Sequence, residues 1–467
     1  MKRILRWTLR GVAGLAVLAV SGAVASLDLV EWRPYPGTSY HERTARRLEK
    51  TRATPVPAED ALSAGFGRAR LTPTLGAAVD EPLAGNFRMV PLAGYGGRRG
   101  RPATGVHDEL QVKAIALRAG GATAVLVGAD ALIIPAEVTD LAVERIAREL
   151  GLRREQVYLS ATHTHGSIGG WGQGPVAEAF AGAFVPGIRE WFADRIFSAV
   201  RDAMTDLKPA ELGQNQFAAP DFVRNRLVGS LGKTDPEFTF LVVRQRGGRT
   251  AVAGSYSAHA TVLGSDVMEF HGDYPGYWQR AVEEATGGMA VFIAGSVGSH
   301  GPVSGGKGFA GAVRLGRALA AGVMERMSAT SLSPSVRLAT SAVEVSLPEL
   351  NARVTDSLRL RPWLAGMLLP VRDECVLQAV RIGGAVWIST PCDFSGELAL
   401  GVKDHLRARG SDAVVTSFNG GYVGYVIPRK YYHLSGYEPR TMSFHGPNVP
   451  DYFDETIRAL ADGLLAK

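Results

Sequence analysis

Cysteine is scarce in this chain of 467 residues, which contains only Cys375 and Cys392. Two cysteines cannot form a disulfide scaffold, and their spacing is not that of a CxxC pair, so the sequence predicts neither a thiolate zinc site nor a redox motif. A single disulfide between them stays open at this level. The rest of the composition, with 46% hydrophobic and 21% charged residues, excludes a disordered or fibrous chain.

Two further absences limit the domain count and the class of partner. After about Asp60 no long Pro/Ser linker or charge run divides the sequence, which favours one large folded unit over two or three. The formal charge of +6 is spread along the chain, and no basic stripe carries interleaved aromatic residues, so no nucleic-acid partner is expected. Scattered lysine and arginine usually mean a solvated surface, although a mildly basic surface also suits an anionic membrane.

The first 30 residues have the pattern of an export segment. Basic residues precede the apolar run at positions 11–20, and residues 23–25 are small enough for cleavage. Without cleavage, residues 7–30 approach the roughly 20 residues that span a bilayer. We therefore expect an exported chain, either periplasmic or extracellular or anchored to the membrane by this signal peptide or signal anchor. Residues 31–60 are polar and punctuated by proline, and are expected to form a tether to the domain at 61–467.

One pattern of strands and turns occurs three times from about Gly65 onward. In each copy two short apolar strands are joined by a Gly-Gly turn, and the second strand ends near a residue that can bind metal or move protons. The turns are Gly120-Gly121, Gly247-Gly248 and Gly383-Gly384, and the three strand ends lie near Asp130, His259 and Asp393. Two alternative explanations of the repetition are open: an internal duplication, or the common use of such turns in unrelated hairpins.

Strand patterns alternate with helical patterns along the same part of the chain, which predicts an α/β fold of layered mixed β-sheets flanked by helices, in a single large domain. Apolar spacing predicts an amphipathic helix at Ala136–Leu150. Further helices are expected at residues 188–207, 276–285 and 451–465. Asp273 is expected to cap a helix whose first turn includes Pro275.

His163 and His165 follow directly on a predicted strand at residues 157–162. Residues two apart in an extended chain point to the same side, so both imidazoles can face one cavity. Neutral imidazole binds zinc and also exchanges protons near neutral pH, so one ring can ligate a metal while the other moves a proton. A pair of hydrogen-bonded structural histidines is the alternative. His259 and Asp393, at predicted strand ends, are placed where layered α/β folds present side chains to a crevice, and a satisfied interior histidine is the alternative for His259.

Several motifs together resemble the neutral, non-lysosomal ceramidases, in order from about Gly65 to the C-terminus. They are Ala161-Thr-His-Thr-His165, Asn225-Arg226 with Asp235-Pro-Glu237, Ser255-Tyr-Ser-Ala-His-Ala-Thr261 with Asp273-Tyr-Pro-Gly-Tyr277, Asn419-Gly-Gly-Tyr-Val-Gly-Tyr425-Val426, Tyr437-Glu438 and His445-Gly-Pro447. The resemblance implies a zinc-dependent amidohydrolase that cleaves the amide bond of an N-acyl lipid, ceramide or a ceramide-like compound, to a fatty acid and an amine.

The same resemblance implies roles for individual residues. Zinc is expected on His163, His259, Asp393 and Tyr425, with His165 as the proton-transfer group and with Arg226 and Tyr437 holding or polarising the substrate carbonyl. The carboxylate departs from the family pattern, because the family usually has Glu in Pro-Gly-Glu-Phe where this chain has Asp393 in Pro-Cys-Asp-Phe. The shorter side chain requires the metal to sit closer to that strand, or the site is altered.

A second departure concerns the nucleophile. The family usually has Gly-Asp-Val-Ser-Pro, whose serine has been proposed as nucleophile, and the aligned position here is Gly298. Ser296 or Ser299 could substitute after a shift of register. We favour a mechanism without serine, in which zinc-bound water attacks the carbonyl, the metal stabilises the oxyanion and His165 protonates the leaving amine.

The expected partners are a lipid substrate with an N-acyl group and a membrane surface. Many ceramidases carry a further β-sandwich domain after the catalytic one, and we expect its lipid or membrane contacts either to be absent here or to be replaced by those of the N-terminal segment. Two alternatives keep most of these residues: a zinc hydrolase of another amide or ester, and a non-catalytic, membrane-tethered relative that binds lipid.

Overall fold

A computed structural model of the chain describes residues 24–52, 56–369 and 371–465, together with residues 7, 8, 14, 15 and 22. Most of the predicted export segment, residues 1–30, lies outside the described residues, so cleavage and anchoring stay predictions. Within the described ranges, no helix combines the length and the apolar character that crossing a bilayer requires.

Helices and strands alternate along the described chain. The α-helices are α1 (Ser39–Arg52), α2 (Ala136–Leu150), α3 (Pro175–Ala181), α4 (Ile188–Thr205), α5 (Asp273–Thr286), α6 (Gly308–Met327), α7 (Pro362–Leu368), α8 (Gly396–Arg407) and α9 (Val449–Leu465). The strands up to residue 270 are β1 (Leu27–Leu29), β2 (Asp60–Arg70), β3 (Thr74–Leu75), β4 (Asn86–Phe87), β5 (Gly105–Val106), β6 (Gln111–Ala119), β7 (Ala122–Ala129), β8 (Val157–Ala161), β9 (Lys208–Ala218), β10 (Val223–Asn225), β11 (Glu237–Gln245), β12 (Thr250–Tyr256) and β13 (Glu269–Phe270). They continue with β14 (Met289–Ala294), β15 (His300–Pro302), β16 (Ser335–Val336), β17 (Leu338–Ser346), β18 (Leu358–Leu360), β19 (Glu374–Ile382), β20 (Ala385–Ser389), β21 (Asp393–Phe394), β22 (Asp412–Thr416) and β23 (Tyr425–Val426).

The three repeated hairpins of the sequence have one common topology. β6 and β7, β11 and β12, and β19 and β20 pair antiparallel, and each hairpin is followed by a helix and a strand parallel to its second strand, namely β8, β14 and β22. The first glycine of each turn has a positive φ, 55° at Gly120, 116° at Gly247 and 60° at Gly383, a conformation that residues with a Cβ rarely adopt. The Gly-Gly turns are thus required by the backbone geometry of the hairpins.

Two sheets form the centre of the molecule, with helices on their outer faces. The larger sheet has nine strands in the order β14-β12-β11-β9-β2-β6-β7-β8, with β16 paired to β2, and the smaller has the order β17-β19-β20-β22. Alternate side chains of β7 point to opposite faces of the larger sheet. Leu126 packs into an apolar core shared with Trp387 of the smaller sheet, whereas Val125 and Val127 pack against helices α2 and α4 on the other face. This alternation is the period of two expected of a strand covered on both faces, and the predicted α/β layering is confirmed.

The other helices cover the remaining outer faces. α5 and α6 pack on β11, β12 and β14, and α8 and α9 pack on the smaller sheet. The helix predicted at Ala136–Leu150 is confirmed, and those predicted at 188–207, 276–285 and 451–465 are found with no end shifted by more than three residues.

Helix α1 lies in the segment that the sequence suggests is a tether. Tyr40 and Leu48 of this helix pack on the core of the smaller sheet, and the Thr44 hydroxyl accepts a 2.7 Å hydrogen bond from Tyr452 of α9. The boundaries proposed for the leader and the domain stay predictions. Both cysteines are free, with Cys392 buried and Cys375 partly buried, so the single disulfide that the sequence left open is not formed.

Candidate metal centre and active site

His163 and His259 come together at the ends of β8 and β12, where their Nε2 atoms lie 2.9 Å apart. The Nδ1 atom of His163 is 2.8 Å from the carbonyl of Leu132, and that of His259 is 3.3 Å from the carbonyl of Val297. A carbonyl only accepts, so each Nδ1 carries the proton and donates it, and each Nε2 presents a lone pair. Two facing lone pairs cannot bond to each other, but both can bind one cation.

The backbone at His163 is not the extended chain that the sequence pattern suggested. Strand β8 ends at Ala161, and His163 has a φ of 61°, in the left-handed region that costs roughly 1 kcal/mol or more for a residue with a Cβ. Its ring stacks on Phe418, itself at a φ of 62°, with ring centres 3.8 Å apart. His163 and His165 do face one cavity, as predicted. They reach it through a turn stabilised by the stacking of His163 on Phe418, and not through the alternation of side chains along a strand.

Asp393 supplies a carboxylate to the same point. Its Oδ1 atom lies 3.9 Å from Nε2 of His163 and 3.7 Å from Nε2 of His259, and it has no hydrogen-bond partner among the described residues. Oδ2 accepts a 2.7 Å hydrogen bond from the hydroxyl of Tyr422. Burial raises the pKa of Asp393 to about 7, although the Tyr422 hydrogen bond opposes the shift. Despite being one methylene shorter than Glu, Asp393 therefore presents a bare oxygen to the two imidazoles.

Tyr425 lies beside Asp393 because β21 and β23 pair in parallel with these two residues in register. The hydroxyl of Tyr425 accepts a 2.8 Å hydrogen bond from Nη2 of Arg226, and Arg226 is ion-paired with Glu438 at 3.0 Å. Burial disfavours the charged guanidinium, but Tyr425, Glu438 and Asp393 together raise the pKa of Arg226 above its usual value. The ring of Tyr437 stands edge-on to Tyr425 at 5.8 Å.

His165 completes a cluster of three buried histidines whose possible ligand atoms lie within 4.8 Å of one another. Its Nε2 is 3.3 Å from Nε2 of His163, and its Nδ1 has no partner in the described part of the chain. Burial and the neighbouring His163 lower its pKa well below the usual value, so the ring is neutral. No carbonyl among the described residues fixes the proton of the His165 ring as the carbonyls of Leu132 and Val297 fix those of the other two rings.

The donor set fits a zinc ion. Two imidazole Nε2 atoms with protons fixed on Nδ1 and a carboxylate oxygen without a partner converge here, and Tyr425 lies beside the carboxylate. Mixed nitrogen and oxygen sites of this kind suit zinc. The low pKa of His163, about 3 because of burial, keeps it in the neutral form that binds metal. All seven residues predicted for the site, four ligands and three others, thus lie in or beside one cluster.

A cavity of about 910 Å³ opens onto this cluster. His163, His165, Asp393, Tyr425 and Tyr437 form one part of its wall. Much of the remaining wall is apolar and includes Leu132, Ile133, Trp171, Phe180, Leu369, Met442 and Phe444. Arg226 is not among the described residues of the wall, so it acts on the site through Tyr425. A polar centre beside a large apolar space suits a substrate with a hydrocarbon chain.

The serines proposed as substitutes for the family nucleophile do not form part of the described cavity wall. The hydroxyl of Ser296 donates to the carbonyl of Val415 at 3.0 Å, and that of Ser299 is hydrogen-bonded to Ser395 at 2.7 Å. Both serines are buried. This geometry favours the mechanism that needs no serine.

Residues 76–304 match the family described as neutral/alkaline non-lysosomal ceramidase, N-terminal. Residues 76–304 of this chain therefore belong to the neutral/alkaline ceramidase family. The matched range of this family member includes His163, His165, Arg226 and His259, whereas Asp393, Tyr425 and Tyr437 follow it in sequence. A search of curated proteins finds no significant match.

Two solved structures share the fold of this ceramidase family member. One is neutral ceramidase from Pseudomonas aeruginosa, and the other is described as ceramidase complexed with C2. Each superposes with a TM-score of 0.71 at 18% sequence identity, covering 86% of this chain and 75% of the other. The layered α/β architecture is therefore that of a neutral ceramidase.

Sequence reasoning missed several residues that support the ceramidase-like site. Tyr422 and Glu438 lie within motifs that resemble the ceramidases, although the sequence alone indicates no role for them, and Phe418 immediately precedes one of these motifs. Arg98 is buried and donates to the carbonyls of Ala93 at 3.1 Å and Val267 at 2.8 Å, and to that of His165. A buried arginine that donates only to carbonyls leaves no sequence signal.

Two residues that the sequence singled out lie outside the cluster. Asp130 accepts from the backbone N–H of Gln111 at 2.9 Å and from the side chain of Gln279 at 2.8 Å, which joins β7 to α5. Asp273 is the first residue of α5, and the N-cap position that the sequence assigned to it is held by Gly272. Its carboxylate accepts from the N–H of Tyr274 at 2.6 Å and from that of Leu263 at 2.9 Å, so it holds the loop that follows His259.

Proposed function

We propose that this chain is a zinc-dependent amidohydrolase that cleaves the amide bond of an N-acyl lipid, ceramide or a ceramide-like compound, to a fatty acid and an amine. The observation that carries the proposal is the convergence of two oriented imidazoles and the unpartnered Oδ1 of Asp393 beside an apolar cavity. Membership of the ceramidase family and the related structure described as complexed with C2 support the choice of substrate class.

Zinc bound to His163, His259, Asp393 and Tyr425 would make water nucleophilic near neutral pH and stabilise negative charge on a carbonyl oxygen. The protein residues supply positioning and proton transfer. His163, His259 and Asp393 follow three different repeated hairpins, and His163 and Asp393 lie in the wall of the cavity in which the substrate would bind.

His165 is the proton carrier in this proposal. It lies in the cavity wall and has a free Nδ1, and its neutral ring can accept a proton and pass it to the leaving amine. Tyr437 lies in the same wall, where its hydroxyl can donate to the substrate carbonyl as negative charge develops. Arg226 holds the Tyr425 hydroxyl and adds positive charge behind it.

The apolar wall is proposed to hold the hydrocarbon chain of the substrate. Leu369, Met442 and Phe444 pack in one cluster with Tyr425, so an acyl chain lying along them would bring its carbonyl to the polar centre. We further propose that the protein is exported and acts at a membrane surface, since residues 1–30 have the pattern of a signal peptide or signal anchor.

The test measures metal and turnover on the same full-length protein in detergent. Zinc by plasma mass spectrometry should approach about one ion per chain, and release of fatty acid from a short-chain ceramide should be abolished by a chelator and restored by zinc. His163→Ala and His259→Ala should each lose the metal and the turnover, and His433→Gln, at an exposed position, is the matched control.

Two results would contradict the proposal in different ways. Full zinc content in both ligand variants would place the metal elsewhere. Zinc with no fatty-acid release in the wild type would keep the metal site and move the substrate to another amide or ester.

A further inference from the structure

Helix α7 (Pro362–Leu368) presents apolar side chains to solvent. Trp363 is 59% exposed and Met367 is 70% exposed, and they lie four residues apart on one helical face. The sequence of the helix, Pro-Trp-Leu-Ala-Gly-Met-Leu, contains no charged residue. A surface helix normally turns polar residues outward, so an outward face of Trp and Met indicates a surface that is covered in use.

The helix leads directly into the wall of the cavity. The N–H of Leu369 donates to the carbonyl of Ala365 at 2.9 Å, which continues the last turn of α7, and Leu369 and Val371 both line the cavity. Leu369 also packs in the cluster that contains Tyr425. An apolar path therefore runs from the exposed face of α7 to the proposed zinc site.

The end of the N-terminal apolar segment is attached to the start of the same helix. β1 pairs with β18, with Leu27 opposite Leu360. The N–H of Arg361 donates to the carbonyl of Ser26 at 2.9 Å, and its Nε donates to that of Val24 at 3.1 Å. The apolar run at positions 11–20 is thus separated from α7 by only a few residues, so a bilayer that holds this run lies close to α7.

We propose that α7 is a bilayer-docking helix, whose Trp363 and Met367 insert into the boundary between headgroups and acyl chains and hold the cavity mouth against the membrane. A seven-residue helix is about 10 Å long, too short to span a bilayer but suited to lie along its surface. Tryptophan favours this boundary because its ring is apolar and its indole N–H is polar. The occupant is lipid, because the residues that follow the apolar run in sequence are attached to the start of this helix, and the cavity for a hydrocarbon chain begins at its end.

The docking proposal rests on the proposed function in one respect: the proposed hydrolysis of a lipid is the reason why lipid must reach the cavity. Its test uses the full-length protein in phosphatidylcholine vesicles, with and without bromine near the headgroup end of an acyl chain. The chain has seven tryptophans, so the signal of Trp363 is taken as the difference between the wild type and Trp363→Phe. This difference should be quenched by the brominated lipid.

A second measurement compares turnover of a fluorescent short-chain ceramide in vesicles and in detergent micelles. The variant W363S/M367S should lose about tenfold or more in vesicles, because two apolar side chains no longer enter the bilayer, and should match the wild type in micelles. The matched control W363F/M367L keeps the apolar surface and should keep turnover in vesicles. A second control, L83S/M89S, removes two exposed apolar residues elsewhere and should have no effect.

Several results would overturn the proposal. The Trp363 difference signal could be insensitive to brominated lipid, W363S/M367S could lose turnover equally in both media, or L83S/M89S could have the same effect as W363S/M367S. Self-association of the wild type, abolished in W363S/M367S and seen without quenching, would assign the face to a second copy of the chain. If the protein hydrolyses no ceramide in either medium, the proposed function fails, but the quenching measurement still decides whether α7 docks.

Discussion

Gly298 packs so closely against the backbone of Asp393 that a Cβ atom at position 298 would lie 2.2 Å from the Asp393 carbonyl oxygen. The N–H of Gly298 donates to the carbonyl of Phe394 at 2.8 Å, and Val297 forms a bridge with Ser395. Position 298, where the family usually has serine, therefore helps to set the position of the strand that carries the Asp393 carboxylate.

Replacing this glycine by the usual residue of the family should harm the site. Gly298→Ser forces a side chain against backbone, which cannot move aside as a flexible side chain can, so we expect a loss of about 1–3 kcal/mol in the free energy of unfolding. Displacement of Asp393 should also weaken zinc binding. Chemical denaturation and zinc titration measure the two effects.

Gly384→Ala is the matched control for this substitution. A Cβ there would meet no described atom within 4 Å, and the residue has no positive φ, so stability and zinc affinity should change little. A Gly298→Ser protein as stable as the wild type and faster in turnover would show that the loop can hold a serine nucleophile, contrary to the geometry.

Tyr422 should contribute to metal affinity without being a ligand. Its hydroxyl donates to Oδ2 of Asp393 at 2.7 Å, which leaves Oδ1 for the metal. Tyr422→Phe should therefore weaken zinc binding roughly 10–100-fold, the usual loss when the partner of a ligand is removed. Competition with a chelator of known affinity provides the measurement.

The control for Tyr422 removes a comparable buried hydroxyl elsewhere. Tyr452 is buried and donates to Thr44 at 2.7 Å, so Tyr452→Phe should lower stability but leave zinc affinity unchanged. Equal zinc affinities in Tyr422→Phe and the wild type would mean that the carboxylate is oriented by the pairing of β21 and β23 alone.

His165 should be needed for turnover and dispensable for metal binding. Because its ring has no carbonyl partner and lies in the cavity wall, His165→Ala should retain zinc but lose roughly 10²–10⁴-fold in kcat, the range for a lost general acid–base group. Added imidazole should restore part of the rate, which a purely structural role would not allow. If His165→Ala instead loses zinc as His163→Ala does, the third imidazole is a ligand.

Local rules were sufficient for much of the fold. The Gly-Gly turns predicted all three hairpins because the first glycine of each must adopt a positive φ, and apolar spacing located Ala136–Leu150. Helix α6 was not predicted, since its glycines lower helix propensity. The structure shows why one of them is there, because a Cβ on Gly316 would lie 2.7 Å from the carbonyl of Tyr274 in the adjoining helix α5.

The residues of the candidate site could be named from the sequence, but their arrangement could not be predicted. His163, His259 and Asp393 could be named because each follows a predicted strand. The left-handed backbone conformation of His163 could not be predicted, because the ring of Phe418 that stacks on it comes from a distant part of the chain. Contacts of this kind depend on how the repeated units pack, which no local pattern contains.

His445 should make the protein less stable in acid. Its Nδ1 donates to the carbonyl of Pro348 at 2.9 Å, and its Nε2 is buried without a partner among the described residues. Burial lowers the pKa of His445 from 6.5 to about 4, although the Pro348 carbonyl opposes the shift. Between these values the unfolded chain binds the proton and the folded chain does not.

The contribution of His445 to the free energy of unfolding is therefore fully present above pH 6.5. As the pH falls towards 4, on the order of 3 kcal/mol is lost. His445→Gln removes the titration, so the difference in unfolding free energy between wild type and variant should change across this range and be constant above it. Urea denaturation at several pH values measures the difference, with His433→Gln at an exposed position as the control. Parallel curves for wild type and His445→Gln would show that the buried ring is protonated as easily in the folded chain as in the unfolded one.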